Sequence, residues 1–172
     1  LQKSLDERRL LKVIAGLKNF DKGSVSLIAK AARRGHADLL DLACDPELVR
    51  LAITNSGLPI CVSAVDPKLF PSAVEAGASM IEIGNYDSFY PEGRFFYADE
   101  ILALTDETKK LLPNVFLSVT VPHTLPLDKQ SELALDLIKL GVDLIQTEGG
   151  TSSQPLSAGC LGLIEKAAPT LA

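Results

Sequence analysis

Apolar and polar positions alternate along this chain in blocks, and three of the blocks follow one template. Gly35 to Asp41 (Gly-His-Ala-Asp-Leu-Leu-Asp), Gly77 to Glu82 (Gly-Ala-Ser-Met-Ile-Glu) and Gly141 to Gln146 (Gly-Val-Asp-Leu-Ile-Gln) each run from a glycine into a short apolar strand. Aligned on one another, they bring Asp41, Glu82 and Gln146 to the same place. A glycine suits the left-handed turn that closes a helix. The strand behind it is apolar on both faces except at that one position, the pattern of a parallel strand buried on both sides. In a barrel of parallel strands the outward face packs under helices, so a polar side chain in mid-strand points inward or toward the mouth. The template predicts a (β/α) barrel with a polar interior, where such folds keep their chemistry.

The rest of the pattern counts units. Strands are expected from Leu11 to Leu17, Ala37 to Ala43, Ile60 to Val65, Ser79 to Gly84, Val115 to Val121 and Asp143 to Thr147. Helices are expected from Lys22 to Arg34, from Pro46, from about Ala98, from Leu127 to Leu140 and from Gly159 to Ala168. Pro46 stands where proline opens a helix. The count gives one domain over 1–172, an α/β (β/α)8 TIM barrel of which the chain supplies about six βα units. Its length falls below the usual ~200 residues or more of that fold. An open doubly wound sheet is the competing arrangement. Its strands have little reason to carry aligned inward polar groups, whereas Ser118, Thr120, Gln146 and Glu148 keep the same phase in strands five and six. On the barrel reading strands one and six are open edges, which call for missing C-terminal units or a protein partner to cover them.

Composition narrows the class. A chain of 172 residues that is 47% hydrophobic can bury a large core and is not a disordered segment. A net charge of −5, with no Lys/Arg run longer than two, argues against a nucleic-acid surface. No apolar stretch approaches the ~20 residues of a membrane span. Cys44, Cys61 and Cys160 form no CxxC pair and read as free thiols in a reducing compartment, most simply as buried small hydrophobes. The chain begins at Leu1 rather than Met. A preceding segment is therefore expected, either a cleaved targeting peptide or residues trimmed from the sequence.

Several stretches resemble one family. They are Leu11-Lys12-Val13-Ile14, Asn19-Phe20-Asp21, Ala43-Cys44-Asp45-Pro46-Glu47-Leu48-Val49, Glu82-Ile83-Gly84-Asn85, Ser118-Val119-Thr120-Val121-Pro122-His123-Thr124 and Gln146-Thr147-Glu148-Gly149-Gly150-Thr151. Together they are similar to the uncharacterised cyanobacterial and plastid family named hypothetical chloroplast reading frame twenty-three, over nearly the whole chain. The resemblance implies an aldolase-type TIM barrel located in the chloroplast (or the cyanobacterial cytoplasm), with family members continuing through two more strands. It implies no particular reaction, and the cofactor stays unknown.

At a barrel mouth the strand ends bring together Asp41 with Asp45, Glu82 with Asn85 and Asp87, Thr120 with His123, and Gln146 with Glu148. Glu82 or Glu148 is the candidate general base and His123 the second acid/base group. The bland readings are an interior polar network for the two glutamates and a backbone-bonded loop residue for the histidine. Asp41, Asn85, Arg94, Thr120, Gln146, Gly149, Gly150 and Thr151 are the candidate substrate-binding residues, the glycines because their N–H groups can cradle an anion. Lys12 is either a Schiff-base nucleophile or the counter-ion of Glu82, and its place at the start of its strand favours the counter-ion. No metal-ligand spacing stands out, and an oxygen set of Asp41, Asp45 and Glu82 for Mg²⁺ is not taken up. Flavin binding rests on analogy of fold alone.

The segment from Asn85 to Tyr97 holds six of the nine aromatics, with Arg94 among them. Three readings stay open: a lid over substrate, a docking surface, or rings that pack the loop onto the barrel. The favoured function is a lyase- or isomerase-type enzyme acting on a small phosphorylated or carboxylated metabolite. The alternative is a non-catalytic barrel that binds a protein partner in the plastid through the aromatic loop.

Overall fold

Each predicted strand pairs with the one before it. The computed structural model describes residues 2–148 and 157–164. Its strands are β1 (Lys12–Ile14), β2 (Leu39–Ala43), β3 (Ile60–Ala64), β4 (Met80–Ile83), β5 (Phe116–Val121) and β6 (Leu144–Thr147). They form one parallel sheet in sequential order, with β1 and β6 at its edges. The helices are α1 (Gln2–Asp6), α2 (Lys22–Arg34), α3 (Pro46–Ser56), α4 (Phe70–Glu75), α5 (Ala98–Leu111) and α6 (Leu127–Lys139).

Alternation along the strands sorts the side chains into two cores. Leu40, Leu42, Val62, Ile81, Ile83, Leu117 and Val119 face outward and are fully or almost fully buried against the helices. Burial of this kind stabilises by roughly 2 kcal/mol per side chain. The inward positions begin with a small apolar layer of Leu39, Cys61 and Met80, backed by Phe116 and Leu144. Above it the inward positions turn polar: Asp41, Ser63, Glu82, Ser118, Thr120 and Gln146. The sheet is curled, as an ion pair demonstrates. Strands lie about 4.8 Å apart, so β1 and β4 would be about 14 Å apart in a flat sheet. Yet the Lys12 ammonium on β1 donates to the Glu82 carboxylate on β4. An α/β sheet of parallel strands curled around a polar interior is a partial TIM barrel.

Local rules explain most boundaries. Asp21, Asp45 and Asp66 each follow a strand and cap the next element, accepting from Ser24 N–H at 2.6 Å, Glu47 and Leu48 N–H at 2.8 and 2.9 Å, and Lys68 N–H at 3.1 Å. Asp45 is therefore a helix cap rather than a companion of Asp41 at the mouth. Strand β1 is shorter than expected, because Gly16 at φ +105° takes the chain out of the extended region. Strand β2 starts two residues late, because the Asp38 carboxylate leaves the strand pattern to accept from Leu11 N–H at 2.9 Å and Ser4 O–H at 2.8 Å. Helix α1, which carries no periodic signal of its own, is held by that Ser4–Asp38 bond. Only the stretch 159–164 of the last expected helix lies within the described residues, and it is helical. Of the three cysteines expected to be buried, Cys61 is; Cys44 is only half-buried, and Cys160 is exposed on that last helical stretch.

Candidate functional site at the barrel mouth

The polar interior divides into a floor and a mouth. The floor is built on Lys12, which reaches Glu82 and also lies 3.1 Å from Asp41. Ser63 donates to Asp41 at 2.7 Å, Gln146 Nε2 donates to Glu82 at 3.2 Å, and Thr120 Oγ1 lies 3.4 Å from the same Glu82 oxygen. Asn85 closes the network from above. Its amide donates to Ser63 at 2.9 Å and lies 3.4 Å from both Asp41 and Glu82. Asn85 takes the left-handed backbone (φ 59°) that asparagine tolerates, which turns its side chain back over the strand ends.

One ammonium facing two buried carboxylates neutralises only one of them. Burial and the neighbouring Glu82 charge raise the Asp41 pKa to about 6, with Lys12 and Ser63 pulling the other way. Burial of Lys12 works against its charge, but Asp41 and Glu82 outweigh it and raise its pKa above that of an ordinary lysine. Lys12 is a protonated counter-ion, as its position in the strand led us to expect.

The mouth lies at the carboxyl ends of the strands. A cavity of about 280 Å³ opens there, lined by residues following β1 (Ile14, Gly16, Leu17), by Asn85, Asp87 and Ser88 after β4, by Thr120, and by Gln146, Thr147 and Glu148 at the end of β6. Glu148 is its most buried charged group, at 6% exposure. Three donors converge on Oε2 of this carboxylate: the Tyr90 hydroxyl at 2.7 Å, the His123 backbone N–H at 3.1 Å and His123 Nδ1 at 2.8 Å. An ionised carboxylate only accepts, so the bond from Nδ1 sets the tautomer: Nδ1 carries the proton and Nε2 keeps a free lone pair. Oε1 of Glu148 has no hydrogen-bond partner among the described residues. Asp87 lies 4.0 Å from His123 Nδ1. The Tyr90 ring meets the imidazole edge-on, with centroids 5.3 Å apart. Burial, and then the bond to Glu148, raise the Tyr90 pKa, so the phenol stays a donor.

The expected residues therefore separate. Asp41, Glu82, Asn85, Thr120 and Gln146 meet in the floor, the last three converging on the Glu82 carboxylate. His123 meets Glu148 at the mouth, and Glu148, Asn85, Thr120 and Gln146 line the cavity. Arg94 joins neither group: it pairs with Glu100 and stacks 4.2 Å above the Phe96 ring, on the outside of the loop. Gly149, Gly150 and Thr151 lie outside the described residues. Most of the aromatic segment packs inward. Tyr86 and Phe96 are buried with ring centroids 4.5 Å apart, Phe89 leans on Phe96 at 5.5 Å, and Tyr90 stacks on Phe95 at 5.5 Å. Phe95 and Tyr97 remain exposed. Tyr90 is the residue that the sequence pattern hid, as one aromatic among six; its hydroxyl was the available signal, because a packed phenol needs a partner.

The whole chain, residues 1–172, matches a family described as "Protein of unknown function (DUF561)". The chain belongs to the DUF561 family. Among curated relatives it is similar to "Uncharacterized protein ycf23" of Cyanophora paradoxa, 49% identical over 146 residues, covering 84% of this chain and 60% of the relative. The protein of the same name in Porphyra purpurea is 39% identical over 170 residues, covering 99% of this chain and 64% of the relative. The chain thus spans about 60% of the length of these relatives. These relatives come from algae, which supports the expected location in the chloroplast (or the cyanobacterial cytoplasm). Among solved structures it is similar to "QR15, an Aldolase", with a TM-score of 0.62 at 15% identity over 94% of this chain and 75% of that one. A putative deoxyribose-phosphate aldolase from Toxoplasma gondii ME49 also gives a TM-score of 0.62, at 20% identity, over 99% of this chain and 70% of that one. At these identities the likeness establishes the fold, an aldolase-type TIM barrel. Among the described residues no helix is long and apolar enough to cross a membrane.

Proposed function

We propose that the mouth binds a small phosphorylated or carboxylated metabolite and that the protein is a lyase- or isomerase-type enzyme working by proton transfer. The observation that carries this reading is the Glu148–His123 pair beside a cavity at the end of the barrel where such folds hold their active sites. Glu148 fixes the imidazole tautomer and steadies the positive charge that forms when Nε2 takes a proton from substrate. The Tyr90 hydroxyl is the neutral donor at the same spot. Gln146, Thr120 and Asn85 supply amide and hydroxyl contacts for substrate oxygens. A Schiff-base route needs a neutral amine, and Lys12, engaged by two carboxylates, does not supply one.

Deuterium exchange tests the reading without knowledge of the full reaction. The purified protein is incubated in D₂O with a panel of keto and hydroxy acids and sugar phosphates, and NMR follows loss of the C–H signal next to the carbonyl. Exchange on at least one compound is expected, reduced about 100-fold in His123→Asn. No exchange on any compound, or exchange indifferent to that substitution, would overturn it. The docking alternative draws on the exposed Phe95 and Tyr97 rings. It predicts a plastid protein that co-purifies with the wild type and is lost from a Phe95→Ala/Tyr97→Ala variant, with Glu148→Gln unaffected.

A further inference from the structure

The donors around Glu148 are unevenly shared. Oε2 accepts three hydrogen bonds, whereas Oε1, cut off from bulk water, accepts none among the described residues. A buried anionic oxygen without a donor costs free energy that the fold normally avoids. Near it stands a second carboxylate, Asp87, and the ligand atoms of Asp87, His123 and Glu148 all lie within 4.8 Å of one another. None of the described residues lining the cavity carries a positive charge. Two nearby cations are engaged elsewhere, Lys18 of the connection after β1 with Glu92 at 2.6 Å and Arg94 of the overlying loop with Glu100. Among the described residues the mouth is thus an acidic, partly desolvated pocket with an orphan oxygen and no ammonium or guanidinium in its lining.

We infer that Asp87, His123 and Glu148 form a binding site for a divalent transition-metal ion. Atoms about 2.1 Å from a common ion stand about 3 Å from one another. The separations of 2.8 Å (His123 Nδ1 to Glu148 Oε2) and 4.0 Å (His123 Nδ1 to Asp87 Oδ1) bracket that value. One imidazole nitrogen with two carboxylates is a mixed donor set that suits Mn²⁺ or Zn²⁺ better than the all-oxygen preference of Ca²⁺ or Mg²⁺. Three protein ligands leave coordination positions open toward the cavity, as in catalytic rather than structural sites.

The inference rests on the mouth being the substrate site, and it deepens that reading. An ion on Nδ1 takes the place of the proton shared with Glu148 and leaves the imidazole proton on Nε2. In the metal-bound protein His123 and Tyr90 are therefore both donors, and the proton-accepting role of Nε2 belongs to the metal-free protein. The ion also supplies the positive charge that an acidic mouth lacks for an anionic or carbonyl-bearing substrate. The substrate class becomes a compound with two oxygens able to chelate, such as an α-hydroxy or α-keto acid.

Mn²⁺ titration into the purified, EDTA-treated protein, followed by the EPR signal of the free ion, tests the site. One Mn²⁺ per chain is expected, displaced by Zn²⁺ and weakened about tenfold or more in Glu148→Gln and in Asp87→Asn. A second measurement on the wild type needs no variant: pulsed EPR of bound Mn²⁺ should show coupling to an imidazole nitrogen. Absence of binding, binding unchanged in both variants, or bound Mn²⁺ without nitrogen coupling would overturn the site. Its fate is separable from that of the enzymatic reading. Mn²⁺ bound with nitrogen coupling, but no deuterium exchange in its presence, leaves the metal site standing and the enzymatic reading fallen; exchange by protein that binds no Mn²⁺ does the reverse.

Discussion

Floor and mouth lie a few residues apart on the same strands, and both place buried carboxylates at the centre. In the floor, Asp41 and Glu82 share one ammonium, amide and hydroxyl donors reach both carboxylates, and only the neutral Ser118 hydroxyl has no partner among the described residues. In the mouth, Glu148 and Asp87 have an imidazole and a phenol, and one Glu148 oxygen is left over. A closed network of this kind holds a barrel together; an open one has capacity to spare for something else. The glutamate on β4 and the glutamate after β6 look equivalent in a sequence pattern, and only their neighbours distinguish them.

The strongest way to break the comparison is to remove the floor's cation. Lys12→Met leaves two buried carboxylates facing each other and should cost about 3–5 kcal/mol in urea denaturation. Glu148→Gln, which keeps shape and leaves no excess charge, should cost about 1 kcal/mol. Equal losses would erase the distinction between a structural floor and a functional mouth.

A smaller effect comes from pH. Asp41 in the folded protein titrates at about 6, against roughly 3.9 unfolded. Between those values the folded state keeps a proton that the unfolded state has released, so this contribution is full below about pH 4 and is lost as pH rises through about 6. The expected fall is about 3 kcal/mol, and Asp41→Asn should flatten it. A wild-type stability that climbs through that window would show Asp41 to be ionised throughout.

The smallest predicted change sharpens the mouth. Tyr90→Phe removes one of three donors to Glu148 and should lower stability by about 1 kcal/mol, whereas Tyr97→Phe, on an exposed ring, should leave the denaturation midpoint where it was.

Much of the architecture was legible because it rests on local rules. The glycine-then-strand template, the aspartate caps and the inward phase of Asp41, Glu82 and Gln146 are short-range signals with period two, and they led to the barrel and to the Lys12–Glu82 pairing. What the sequence could not show was partnership across the interior. Nothing in the spacing tells that Tyr90 and His123 reach Glu148 from loops 58 and 25 residues away. Nor does it tell that Arg94 folds back onto Phe96 and Glu100. Asp38 misled for a related reason: read as part of the strand, it accepts from Leu11 and Ser4 instead and delays β2 by two residues. The metal ligands proposed here come from three separate loops, so no regular spacing announces them.

Strand order also bears on how the polypeptide acquires its shape during synthesis. Because every strand joins the one made just before it, each βα unit can settle on a finished edge as it leaves the ribosome, with little search among distant segments. The exception is Lys12, whose ion pair with Glu82 spans 70 positions. That lysine meets Asp41 of β2 first and gains its second carboxylate only once β4 has been translated. Its capture is a natural checkpoint, at which a loosely stacked row of strands first becomes committed to bending.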